Sequence, residues 1–215
     1  MEVSIVYKKI NVLGEGPSYD EINDELYWVD ILGKKIYRSK LFGDASYIQL
    51  EDMVSAVALT NSNEIIAGAG HSLYLVSTSG TAKKISEVEK DMNTRFNDGK
   101  VSPDDLLVIG TMDLEEKKPL GSLYSFDGKN FKKLLSDMTI SNGLAWDFKR
   151  KLFYIIDSPT KKVSVYEYGK DMSLSYIGVA ANFKDEEGVP DGMTIDVDGM
   201  IWVAIWGGGK IIRFD

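Results

Sequence analysis

An all-β fold assembled from repeated four-stranded sheets is predicted by three features of this 215-residue sequence. Short apolar runs recur along the whole chain, none sustains a helical stripe, and they return every 40 to 49 residues. The runs at 25–31, 35–41, 46–50, 64–70, 72–78, 106–112, 122–127, 151–157, 162–168 and 200–206 are rich in Val, Ile, Tyr, Phe and Trp. Gly, Asn, Asp, Ser or Pro bounds each of them, which suits tight turns between pleated, half-buried strands. Only "ISEVEKDMN" (85–93) offers a helical turn or two.

Within each repeat, a strand led by a small or acidic residue precedes a very hydrophobic second strand, an apolar third and a polar fourth. Strand starts at Gly16, Ala56, Gly99, Gly143 and Gly192 lie 40, 43, 44 and 49 residues apart. A four-stranded sheet cannot bury both faces alone, so sheets of this period stack around an axis as propeller blades do. Neither the Gly-His and Trp-Asp frame nor kelch double glycines recur. Trp28, Trp146, Trp202 and Trp206 fall on strand patterns and are expected in the core between sheets.

Composition excludes several classes. A net charge of −8 without a basic run argues against a nucleic-acid partner. No eighteen apolar residues run together, so no membrane-spanning helix is expected. The absence of cysteine removes disulfides, thiolate catalysis and zinc–thiolate sites together. An acidic second residue and no long apolar block argue against a signal peptide, and the expected compartment is the cytoplasm. The only histidine, His71, has no partner histidine and reads as a turn or surface residue. No G-x-S-x-G elbow exists, which excludes the usual serine-hydrolase layout. "DVDG" (196–199) reads as a hairpin rather than a calcium loop.

At the start of four repeats the chain sets a carboxylate or amide side chain before glycine: Glu15-Gly16, Asp98-Gly99, Asn142-Gly143 and Asp191-Gly192. Any one of these is explained as a good turn dipeptide. Their common phase needs more. The first strand of a propeller blade is innermost, so repeat-equivalent residues ring the axis. Carboxylates facing one another there repel unless a cation neutralises them. Carboxylate and amide oxygens without His or Cys are hard ligands, suited to Ca²⁺, Mg²⁺ or Mn²⁺.

The stretches "LGEGP" (13–17), "RFNDGK" (95–100), "GTM" (110–112), "GSLYS" (121–125), "SNGLAW" (141–146), "YIIDS" (154–158), "PDGMTIDVDGMIWVA" (190–204) and "GGGKIIRFD" (207–215) resemble the gluconolactonase/regucalcin (senescence marker protein) family. The resemblance runs from about residue 10 to the last residue, in the family's order. It implies a six-bladed β-propeller that hydrolyses sugar lactones and carries one divalent cation, with Ca²⁺, Zn²⁺, Mn²⁺ and Mg²⁺ all open. It puts the metal ligands at Glu15, Asn142 and Asp191, and the sugar contacts at Arg95, Asn97 and Glu115, with Glu116 the alternative to Glu115. Asp98 becomes a neighbour that holds water or orients Asn97. Asp191 is also the implied proton carrier, as general base and then acid.

On this reading residues 1–215 form a single β-propeller domain of about four and a half blades, truncated at the C-terminus. Residues 3–13 are expected to pair as the outer strand of the last blade. The partner is a small sugar lactone, with no nucleic acid, no membrane and the oligomeric state open. The alternatives are a calcium-binding propeller without turnover and a broader lactone or phosphotriester esterase on the same scaffold.

Overall fold

The computed structural model describes residues 4–8, 11–62, 64–88 and 93–215. They form two compact units, Met1–Glu89 and Lys90–Asp215. Every named sheet is an antiparallel meander in which sequence neighbours pair.

The first unit holds two sheets. Strands β1 (Gly14–Asp20), β2 (Glu25–Asp30), β3 (Lys35–Lys40) and β4 (Ala45–Gln49) form one, and β5 (Val54–Leu59), β6 (Ile65–Ala69), β7 (Ser72–Val76) and β8 (Ala82–Glu87) the other. Val29, Ile31 and Ile36 of the first pack with Val54, Val57 and Ala67 of the second. The outer strand β8 is almost entirely exposed, as its sequence "AKKISE" requires.

The second unit holds three sheets. The first is β9 (Thr94–Val101), β10 (Leu107–Asp113), β11 (Gly121–Phe126) and β12 (Phe131–Met138). The second is β13 (Ser141–Asp147), β14 (Leu152–Asp157), β15 (Lys162–Tyr168) and β16 (Leu174–Asn182). The third is β17 (Val189–Ile195), β18 (Ile201–Trp206) and β19 (Lys210–Phe214). Val108, Leu123, Leu144 and Phe153 make one core cluster, and Ala145, Ile156, Met193 and Val203 another, so the middle sheet contributes to both. Strands β10 and β11 are buried at every residue, which accounts for their unbroken apolar character.

Side-chain carboxylates set the turns. Asp20 accepts from the amides of Ile22 and Asn23, Asp147 from Lys149 and Arg150, and Asp196 from Asp198 and Met200, each between the first and second strands of a sheet. At the far end of the second strands, Asp30 accepts from Val12 and Leu13, and Asp157 from Thr139 and Ile140. Each thereby locks the chain entering the first strand of its own sheet.

Several expectations are corrected. The described residues build five sheets, neither six nor four and a half. The last needs only three residues, Gly207–Gly209, to turn, with φ of 74° and 62° at the outer two, and "KIIRF" then pairs along β18. The proposed helical turn at 85–93 is strand at 85–87, while residues 89–92 lie outside the described residues. Of 3–13, residues 3, 9 and 10 lie outside them too, and the others carry no strand. Trp28 and Trp146 are core, but Trp206 is 57% exposed. Trp202 is part-buried and lies under the Arg213 guanidinium. His71 sits in the β6–β7 turn.

Candidate functional site

The oxygen-before-glycine pairs are not turns. Each lies inside the first strand of its sheet, where the pairing register slips. On β1 the slip falls between Glu15 and Ser18, on β13 between Asn142 and Leu144, and on β17 between Pro190 and Met193. On β9 the residues Asn97 and Asp98 together oppose Gly110 of β10. These are β-bulges, which bend a strand and re-aim a side chain away from the ladder. A fifth bulge, on β5 between Val54 and Ala56, presents the buried Ser55. The repeat phase through Ala56 pointed there, but a search for carboxylates and amides passes over a serine.

In the first unit, Glu15 stands on the β1 bulge beside Gly16, whose φ is 55°. A Cβ on Gly16 would lie 3.6 Å from the Ser55 carbonyl. A cavity of about 410 Å³ in this unit, lined by Tyr27, Arg38, Ser46 and Ser77 among others, contains none of the bulge residues.

In the second unit the bulges converge. Gly143 must lack a side chain because a Cβ there would meet the Asp191 carbonyl at 2.6 Å. That close approach brings β17 against β13. Arg95 Nη1 donates to the Phe96 carbonyl at 2.8 Å and to Asn97 Oδ1 at 3.0 Å. Asn97 Nδ2 donates to the Ser141 carbonyl at 2.9 Å and to Asn142 Oδ1 at 3.1 Å, and Asn142 Nδ2 passes the chain on to Ser158 Oγ at 2.9 Å. Arg95, Asn97 and Asn142 are thus one connected network. Ser158, which fixes the Asn142 amide, belongs to the "YIIDS" stretch but carries no role in the sequence reading.

The hydrogen bond on Asn97 Oδ1 comes from Arg95. The Asp98 carboxylate accepts from the Gly99 amide at 2.8 Å. Burial pushes it above the usual carboxylate range, against the pull of Lys100 and that amide. Asp191 is pushed up to about 6, first by burial and then by the charge of Asp98. Among the described residues nothing donates a hydrogen bond to the Asp191 carboxylate. Lys100 Nζ donates to the Met193 carbonyl at 2.9 Å, and burial lowers its pKa against the pull of Asp98. Glu115 lies apart on the exposed loop after β10, with its carboxylate 3.5 Å from Lys117 Nζ.

The donor set fits a hard divalent cation. Among the described residues no three His, Cys, Asp or Glu side chains cluster. What the second unit offers is one desolvated carboxylate without a donor, the Asp191 group, and the pinned amide oxygen of Asn142, which keeps a lone pair.

Residues 13–215 match the model of the SMP-30/Gluconolactonase/LRE-like region. The Bacillus subtilis protein YvrE, provisionally named a sugar lactone lactonase, is 36% identical over 95% of this chain and 72% of its own. Regucalcin of Macaca fascicularis is 37% identical over 94% of this chain and 71% of its own. The solved structure of a calcium-binding protein, regucalcin, from Agrobacterium tumefaciens superposes with a TM-score of 0.91 at 26% identity, over 98% of this chain and 73% of that one. The fold is an all-β propeller, and the chain belongs to the SMP-30/gluconolactonase/LRE-like family.

Proposed function

We propose that this chain is a sugar-lactone hydrolase whose site is built on the bulges of its first strands and depends on a divalent cation. The observation that carries the reading is Asp191, a desolvated carboxylate with no hydrogen-bond donor among the described residues and another carboxylate beside it. Folding leaves such a group in place only at a cost, and a ligand that neutralises it offsets that cost.

Asn142 and Asp191 would hold the cation. The ligand role of Glu15 rests on the family resemblance and on its bulge position. A divalent cation bound there supplies Lewis acidity toward the lactone carbonyl. Asp191 takes a proton from the attacking water at its carboxylate and returns it to the leaving ring oxygen. Arg95 and Asn97, braced by each other, bind the sugar hydroxyls and orient the ring. Glu115 contributes from the exposed loop.

A second reading, cation binding without turnover, is favoured by one observation. The hydrogen bonds given above for Arg95 and Asn97 all end on the protein itself, so the pair is satisfied without a sugar. A panel of aldonolactones and one phosphotriester, assayed after chelation and again after restoring Ca²⁺, Zn²⁺, Mn²⁺ or Mg²⁺, divides the two. Lactone turnover that vanishes and returns with the cation supports the hydrolase. Tight cation binding with no turnover on any substrate establishes the second reading instead.

A further inference from the structure

The residue that follows the repeat-phase position of Gly16, Ala56, Gly99, Gly143 or Gly192 is Pro17, Val57, Lys100, Leu144 or Met193. Four are apolar and one is a lysine, half-buried where Val57, Leu144 and Met193 serve the core and Pro17 is exposed. An ammonium placed there loses hydration, so its position needs a compensating interaction. The one it makes is long-range in sequence. Lys100 Nζ donates to the Met193 carbonyl at 2.9 Å, across 93 residues. That bond ties β9 to β17, the first strands of the unit's outer two sheets, and bypasses the middle sheet whose β13 lies in contact with both.

We infer that Lys100 is a positioning residue for Asp191, clamping the border of the bulge that carries it. The ladder between β17 and β18 pairs Pro190 with Ile205 and resumes only at Met193 with Val203, so Asp191 and Gly192 have no partner of their own. Pro190 has no amide hydrogen to donate on one side. On the other side the Met193 carbonyl is gripped by Lys100. The same ammonium lies within the field of Asp98, whose charge repels Asp191. Lys100 therefore ties β9 to β17 at the border of that bulge. The consequence for the cation rests on the reading proposed above; the clamp itself does not.

The test is amide hydrogen exchange on the cation-free protein, comparing wild type with Lys100→Met, which keeps bulk but removes charge and donor. Amides of residues 191–194 should exchange at least about tenfold faster in the variant, while those of β14 are unchanged. Lys100→Arg should restore slow exchange to within about threefold, because it keeps both charge and donors. Should Lys100→Met not fold, Lys100→Gln, with a shorter uncharged donor, takes its place. Calcium titration by calorimetry then reads the second half, with affinity expected to fall about tenfold or more in Lys100→Met. Unchanged exchange at 191–194 overturns the clamp. Faster exchange with unchanged calcium affinity overturns the positioning of Asp191. A wild type that binds no cation defeats the functional reading above, and exchange alone then decides the clamp.

Discussion

Asp191 lies near the start of β17 and Asp196 directly after its end, five residues apart. Asp196 accepts from the amides of Asp198 and Met200, from Trp202 Nε1 and from Arg213 Nε. These bonds, that of Trp202 first, pull it down to about 2. Asp191 is pushed the other way, to about 6, by burial and then by Asp98. The contrast repeats elsewhere: the turn residues Asp20 and Asp127 are lowered by their local hydrogen bonds, while the bulge residue Asp98 is raised by burial. Carboxylates at the turns have their bonding completed by the fold. The bulge carboxylate of Asp191 has no such donor among the described residues, and that deficit is what a ligand can fill.

The largest effect that tests the contrast comes from Asp191→Asn. With the cation present, turnover should fall by roughly 10²–10⁴-fold, the usual cost of losing a general acid or base. The cation-free protein should gain stability. The folded carboxyl binds its proton more tightly than the unfolded one, so its contribution is fully present below 3.8 and lost as pH rises through about 6. At pH 7 the buried charge costs on the order of 3 kcal/mol, which Asp191→Asn would relieve. Urea unfolding with chelator between pH 4 and 7 reads this directly. A variant less stable than wild type at pH 7 would break the comparison.

Next in size is Arg95→Ala. Asn97 Oδ1 loses its charged donor, and charged hydrogen bonds are worth about 1.5–3 kcal/mol. KM for the best lactone should rise roughly 10- to 100-fold, with cation affinity unchanged by calorimetry. A fall in cation affinity without any change in KM would move Arg95 from the sugar side to a structural role.

The repeat and the strands are legible in the sequence because burial writes itself into composition. Fully buried β10 and β11 read as unbroken apolar runs, and the short glycine-rich turns read as breaks. Outer strands such as β12 and β16 are harder to see, since their exposed residues dilute the pattern. The phased oxygens are also legible, but their geometry is not. Asn-Gly and Asp-Gly look the same at a turn and at a bulge, and only pairing with the second strand distinguishes them. Lys100 and Ser158 escape altogether, because their partners lie 93 and 16 residues away and no local spacing announces either bond.

Asp196→Asn should sharpen the comparison from its other side. The depressed carboxyl contributes stability above its unfolded pKa, and that contribution is lost as pH falls toward about 2. The variant should melt at a lower temperature at pH 7 and lose less on acidification than wild type. Its cation affinity should not change, since Asp196 lies at the turn end of β17. A cation affinity that fell with it would show that the two ends of the strand are not independent.

The smallest effect belongs to Glu115, which is of neither kind. Its side chain is 71% exposed and pairs with Lys117 across 3.5 Å of solvent-accessible loop. Exposed ion pairs contribute roughly 0–1 kcal/mol, so Glu115→Ala should leave melting unchanged. A hydrogen bond from a sugar hydroxyl to an exposed, hydrated carboxylate competes with water and orders a long side chain. KM should therefore rise only about two- to threefold, with kcat held, and Glu116→Ala provides the neighbouring control. A change as large as that of Arg95→Ala would mean that the loop closes over the substrate and that exposure in the free protein understates its role. Equal KM values for wild type and both variants would confine the sugar contacts to the bulge network.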